Sequence, residues 1–137
     1  MTYYLTTTYQ QAIEYYQQAL TISRQIGNKS VVGLSLGNLG IAYRNLGQYQ
    51  QAINYYQQAL LIAEDIGDIR GQGNRFNNLG VVYESLEDYE RAIEYHQQAL
   101  AIFEQLGVPH LIEKSKRNLA DAQRKLAEQQ GNAGDES

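Results

Sequence analysis

Tyr9-Gln10-Gln11-Ala12-Ile13-Glu14-Tyr15-Tyr16-Gln17-Gln18-Ala19-Leu20 is written three times in this chain. It returns 40 residues later as Tyr49 to Leu60, with only Asn54 changed. It returns again as Tyr89 to Leu100, where Glu90-Arg91 and Tyr95-His96 replace the Gln-Gln and Tyr-Tyr pairs. Between these blocks Asn38-Leu39-Gly40 recurs as Asn78-Leu79-Gly80 and as Asn118-Leu119-Ala120. A fixed period of this size means one supersecondary unit stacked on copies of itself, because a single copy cannot bury its own apolar face.

The unit is a pair of helices. Ala52, Ile53, Tyr56, Ala59, Leu60 and Ala63 recur at spacings of three and four, which places them on one face of a helix. Leu36, Leu39, Gly40, Tyr43 and Leu46 do the same for the helix before it. Gly27, Gly67 and Gly107 each follow a long helical run, where a left-handed residue ends a helix. Asn28 and Asp68 follow and are suited to cap the next one. Gly47-Gln48 and Glu87-Asp88 mark the shorter turn inside each hairpin. The pattern predicts six helices, near 9–26, 30–46, 49–66, 69–86, 89–106 and 109–128.

The organisation that follows is a partial repeat over 1–28, full repeats over 29–68 and 69–108, and a capping helix over 109–128. Residues 129–137 have no periodicity and are expected to form a disordered tail. Tyr3 falls one period before Tyr43 and Tyr83, so the chain is expected to begin in the last turn of a helix whose body is missing, as a fragment of a longer array would. The last helix carries Lys116 and Gln123 where earlier repeats hold Leu36, Phe76 and Tyr, and a polar outer face suits the end of a stack. The small residues have a packing reading: Gly40 is expected to let Ala52 and Ala59 approach closely.

Composition bounds the rest. The chain has 137 residues, 43% hydrophobic and 19% charged, enough for one folded domain. A single Pro favours helices over an all-β fold. With no Cys there is neither a disulfide framework nor a thiolate metal site. A net charge of −4 argues against general nucleic-acid binding. No apolar run is long enough to span a bilayer, and the N-terminus has neither the basic region nor the apolar run of a signal peptide, so no membrane role and a cytoplasmic location are expected.

At these residues the chain resembles the tetratricopeptide repeat family, whose pattern places W-x2-L-G-x2-Y before A-x3-F in roughly 34 residues. Leu36, Leu39-Gly40, Tyr43, Ala52 and Tyr56 fit it, as do Phe76, Leu79-Gly80, Tyr83, Ala92 and His96. The likeness covers nearly everything from Tyr9 to about Leu126. The repeat-ending Pro is absent and each repeat is longer, which looks like the repeats of kinesin light chains, of Pins/LGN-type adaptors and of bacterial regulators. The resemblance implies an all-α helical-hairpin solenoid that serves as a protein–protein interaction module. It implies a concave groove, lined by the first helix of each repeat, for a peptide or a partner helix.

Helical spacing then selects the groove residues: Leu34, Gly37, Asn38, Ile41 and Asn45 in one repeat, and Asn74, Asn77, Asn78, Val81 and Ser85 in the next. The last helix supplies Lys114, Arg117, Asn118, Asp121 and Lys125. Asn38, Asn78 and Asn118 would form a ladder of amides able to pair with a peptide backbone whatever its side chains. The alternative is an amide bonded to a neighbouring helix. The first-type segments carry net positive charge and the second-type segments net negative charge, which favours an acidic partner. A chaperone-tail carboxylate clamp does not fit, since Gly37 and Ile41 stand where Lys and Asn are needed and Asn118 where an Arg is wanted.

No nucleophile–base–orienter set, phosphate loop or metal cluster is present in the sequence, so no enzyme, cofactor or metal is expected. His96 stands at the place of Tyr16 and Tyr56 and reads as a packing residue. Two further readings stay open. One is a structural spacer with no dedicated ligand. The other is weak homo-oligomerisation through the first helix, whose Tyr9, Ala12, Ile13, Tyr16 and Leu20 repeat an apolar pattern without a preceding helix to cover it.

Overall fold

The structure, a computed structural model, describes the backbone of residues 3–136 and the side chains of residues 7–132. Six helices follow one another: α1 (Tyr3–Ile26), α2 (Lys29–Asn45), α3 (Tyr49–Asp65), α4 (Ile69–Ser85), α5 (Tyr89–Leu106) and α6 (Pro109–Glu136). There is no strand among the described residues. The chain divides into two compact units, one ending at Arg75 and the other beginning at Phe76.

Local chemistry sets the boundaries. Asn28 and Asp68 start their helices as the sequence suggests, each side-chain oxygen accepting from a backbone N–H three residues on, Val31 at 3.3 Å and Gly71 at 2.9 Å. Asp88 does the same for α5, accepting from Arg91 N–H. Gly27, Gly67 and Gly107 take positive φ at the helix ends, where the left-handed turn returns amides to the last open carbonyls.

The turn between α4 and α5 contains the one non-Gly residue of positive φ among those described, Glu87 at 60°, where the preceding repeat has Gly47. A side chain in that region costs about 1–2 kcal/mol. Glycine's extra unfolded-state freedom costs about 0.5–1 kcal/mol. Glu87→Gly is therefore expected to stabilise the protein by up to about 1 kcal/mol in urea unfolding. A loss of stability would show that the Glu87 side chain makes a compensating contact.

The first unit is built on α2, which packs on both α1 and α3. Leu20, Val32, Leu36, Leu39 and Ala59 form its buried cluster, with Ile13, Tyr16, Tyr43, Tyr55 and Ile62 against it. Tyr43 stacks on Tyr55 at 5.4 Å, and Gln17 Nε2 donates to the Tyr55 hydroxyl at 3.0 Å. In the second unit Leu79, Val82, Ala92, Ala99, Phe103 and Ala122 are buried. The aromatic pair recurs there as Tyr83 on Tyr95, 5.5 Å apart.

Three expectations change. α1 runs unbroken from Tyr3 to Ile26, so the last helical turn expected at the start of the chain and the helix expected from residue 9 are one element. Thr7 and Thr8 stand where the repeats have Gly47-Gln48 and Glu87-Asp88, and a β-branched residue does not supply the left-handed turn. Gly40 makes room for an aromatic ring rather than for Ala52 and Ala59: a Cβ there would lie 2.5 Å from Tyr56 Cε1. Gly80 stands in the same relation to His96 Cε1, also at 2.5 Å. Finally, α6 continues as helix past 128 to Glu136, and residues 129–132 are exposed. Met1, Thr2 and Ser137, assigned from sequence to the partial repeat and the tail, lie outside the described residues.

Candidate functional site

The first-type helices α2, α4 and α6 carry the residues selected for binding. On α2, Leu34 projects with 57% of its surface exposed, while Asn38, Ile41 and Asn45 are half-buried beside it at helical spacing. Asn45 Oδ1 accepts from Arg44 at the long distance of 3.5 Å. The Asn38 amide makes no hydrogen bond among the described residues and is not enclosed, so its donors and acceptor face solvent. Asn74, at the end of the first unit, is half-buried.

In the second unit Asn78 and Val81 are half-buried, and the Asn78 amide is likewise free of partners among the described residues. Lys114 and Arg117 are exposed on α6 and form no ion pair among those residues. Asn77 and Asn118 differ from the rest. Asn77 is only 9% exposed, and Asn118 Nδ2 donates to its Oδ1 at 2.8 Å. The side chains therefore tie α4 to α6. The amide expected as a third open rung is already engaged, and Asn77 sits inside rather than lining a groove.

This contrast gives a stability test. Asn118→Ala is expected to cost about 1–2 kcal/mol, because it leaves the buried Asn77 carbonyl unpaired. Asn38→Ala and Asn78→Ala are expected to change stability by less than about 0.5 kcal/mol. Urea unfolding followed by circular dichroism distinguishes the two. A similar cost at all three positions would contradict the assignment of open and engaged amides.

Charge on these helices is partly neutralised locally. Lys29 pairs with Asp65 at 2.6 Å, Arg124 with Glu128 at 2.9 Å, and Lys125 reaches Glu84 at 4.0 Å. Burial raises the Glu84 pKa, with Lys125 opposing and Asp121 adding to the shift. No cluster of three or more His, Cys, Asp or Glu able to hold a metal occurs among the described residues. No described helix is long and apolar enough to cross a membrane.

Sequence reasoning passed over Arg75. It stands at the repeat position of Ser35 and Ser115, and that break in the period was the available signal. Its guanidinium lies over the backbone of Gly37 and lines a cavity of about 240 Å³ in the first unit. The first helix is also more open than its copies. Ala12, Ile13 and Tyr16 are half-buried where Ala52, Ile53 and Tyr56 are fully buried, and Ile22 and Ile26 are exposed.

The sequence model described as "Tetratricopeptide repeat" matches residues 1–65 and 70–131. No curated protein matches in sequence. Among solved structures, BtubC (BKLC) from P. vanneervenii is 28% identical with a TM-score of 0.81, over 88% of this chain and 51% of that one. A signal transduction ATPase with numerous domains and a tetratricopeptide repeat sensor, from Pyrococcus horikoshii, is 31% identical with a TM-score of 0.68, over 83% of this chain and 17% of that one. A putative kinesin light chain from Podosopora anserina shares the fold at 22% identity and a TM-score of 0.74, over 90% of this chain and 61% of that one. This chain thus spans about half the length of BtubC and less than two thirds of the other two.

Proposed function

This chain belongs to the tetratricopeptide repeat family, and on that ground we propose that it is a protein-interaction module that binds an acidic peptide or partner helix along its first-type helices. The observation that carries this reading is the state of the amides. Asn38 and Asn78 occur at the same repeat position, and neither bonds to any described residue. A mid-helix Asn is a mediocre helix former. An open amide there offers a peptide backbone both a donor and an acceptor. Leu34 and Ile41 supply apolar surface beside Asn38, and the unpaired Lys114 and Arg117 favour an acidic partner by complementarity.

The test uses a random peptide library selected on the full chain. Selected peptides are expected to bind the Asn38→Ala/Asn78→Ala double variant about thirtyfold more weakly, at unchanged thermal stability, since each of the two lost bonds to a neutral group contributes about 1 kcal/mol. Equal affinity for the two proteins would contradict the reading.

A second reading, weak self-association, is favoured by the exposed Ile22, Ile26 and Val31 near the α1–α2 turn. The outer residues Glu113, Lys116, Ala120 and Gln123 of α6 are exposed and mostly polar, which disfavours head-to-tail stacking and leaves an isologous contact between α1 faces. Light scattering across a concentration series decides it. Mass rising towards a dimer supports the contact, and a strict monomer removes it.

A further inference from the structure

Ala12, Tyr15, Ala19, Ile22 and Ile26 follow one another along α1 at intervals of three, four, three and four, which sets them in two adjoining rows on one side of the helix. The stripe is open. Tyr15, Ile22 and Ile26 are 67%, 55% and 74% exposed, and Ala12 and Ala19 are half-buried. The same stripe on α3 is in use. Ala52 and Ala59 are buried there, Tyr55 stacks on Tyr43, and Ile62 lies against Gly33 of α2. These residue types at this spacing therefore make a helix–helix contact elsewhere in the same chain.

Charge decides what can meet the stripe on α1. Glu14 and Arg24 are the only charged residues from Tyr9 to Ile26, and neither falls in the two rows. Gln11, Gln18 and Gln25 border the stripe and are exposed. A neutral seam with amide flanks brings no like charges together when it meets a copy of itself. It also carries no flanking charge with which to select a foreign helix.

Size decides the direction. The small Ala12 and Ala19 alternate with the large Tyr15 and Ile22. Parallel copies would set Ala on Ala and Tyr on Tyr, so that voids alternate with crowded layers. Antiparallel copies set Ala12 against the partner's Ile22 and Tyr15 against the partner's Ala19, and the two-fold axis repeats both contacts. Each layer then holds one large and one small side chain. A hollow of about 280 Å³ lined by Ala19, Ile22, Ile26 and Val31 lies where the partner's Tyr15 would arrive.

We propose that this face of α1 pairs with α1 of a second copy, antiparallel, with Ala12 facing the partner's Ile22. The proposal rests on the reading of weak self-association and fixes its direction and register. One helix face per copy falls short of the roughly 1,200–2,000 Å² of a standard interface, so the dimer is expected only at concentrations on the order of 100 µM.

The chain has no Cys, so single cysteines report the pairing. Gln11→Cys, Gln18→Cys and Gln25→Cys chains, each altered at an exposed position, are treated with a short bis-maleimide and separated on a denaturing gel. In the proposed register position 18 faces itself across the axis, whereas positions 11 and 25 each lie about 21 Å from their own copies along the helix. Gln18→Cys alone is expected to link into a dimer about tenfold faster than either of the others alone, because only its two thiols are within reach. A mixture of the Gln11→Cys and Gln25→Cys chains is expected to link, since these positions face each other. Ile22→Asp in the Gln18→Cys chain is expected to remove the link, because it places a carboxylate against the partner's Ala12. The melting temperature is expected to hold, as Ile22 is mostly exposed.

Equal linking of the three single-cysteine chains, or linking at position 18 that persists in Ile22→Asp, would overturn the register. So would a dimeric mass in light scattering without a link at position 18. In each of these cases a dimer still supports self-association, whereas a strict monomer without links overturns both readings.

Discussion

Leu79→Ala is expected to destabilise the protein by about 2–5 kcal/mol in urea unfolding followed by circular dichroism. Leu79 has no exposed surface and lies in the buried set of the second unit. Its removal forfeits the transfer energy of the side chain and leaves a void that a helical repeat of this size cannot close by collapse. The effect is a large fraction of the roughly 5–15 kcal/mol that separates a folded domain from its unfolded chain. The same substitution at Leu119, which is half-buried at the same repeat position on α6, is expected to cost less. A cost at Leu79 below about 0.5 kcal/mol would mean that the buried face of α4 is misassigned.

Acid should weaken this fold at a specific place. His96 is fully buried, and neither ring nitrogen has a hydrogen-bond partner among the described residues. Burial lowers its pKa from 6.5 to about 4. Between those values the unfolded chain takes up a proton that the folded chain refuses, so stability is full above pH 6.5 and is lost as pH falls towards 4. The loss is expected to reach roughly 3 kcal/mol. Glu84 works in the opposite sense, because burial raises its pKa and the folded state takes up that proton first as pH falls from neutral towards the ordinary carboxylate range.

His96→Tyr isolates the histidine. It restores the residue type found at Tyr16 and Tyr56, and the ring position beside Gly80 matches that of Tyr56 beside Gly40. Urea midpoints for the wild type and His96→Tyr should converge at pH 7 and separate at pH 4.5, with the variant more stable. Parallel pH profiles would show that His96 accepts a proton in the folded state at little cost.

The sequence carried the period, the six helices and the Asn28 and Asp68 caps because each depends on local chemistry that recurs every 40 residues. Periodicity states which face of a helix is buried, but not what the face touches. The readings that changed lie at that limit. Periodicity pairs Gly40 with small neighbours, whereas the ring of Tyr56 occupies the space. Asn77 and Asn118 share a helical face with open amides, yet their pairing depends on two elements meeting at one distance. Thr7 and Thr8 interrupt the turn chemistry of the repeat, and there α1 simply continues. Arg75 was legible only as a departure from Ser35 and Ser115, because a long side chain reaches beyond the face to which its Cα belongs.

The central claim is that a peptide binds on the first-type helices, and nuclear magnetic resonance shift mapping tests it most directly. A selected peptide is titrated into isotopically labelled protein. The side-chain amides of Asn38 and Asn78 should shift together with backbone signals around Leu34 and Ile41. Signals from the exposed Tyr15 of α1 and Leu61 of α3 should stay in place. Shifts clustered at Tyr15 and Leu61, with the Asn38 and Asn78 amides unmoved, would contradict the account.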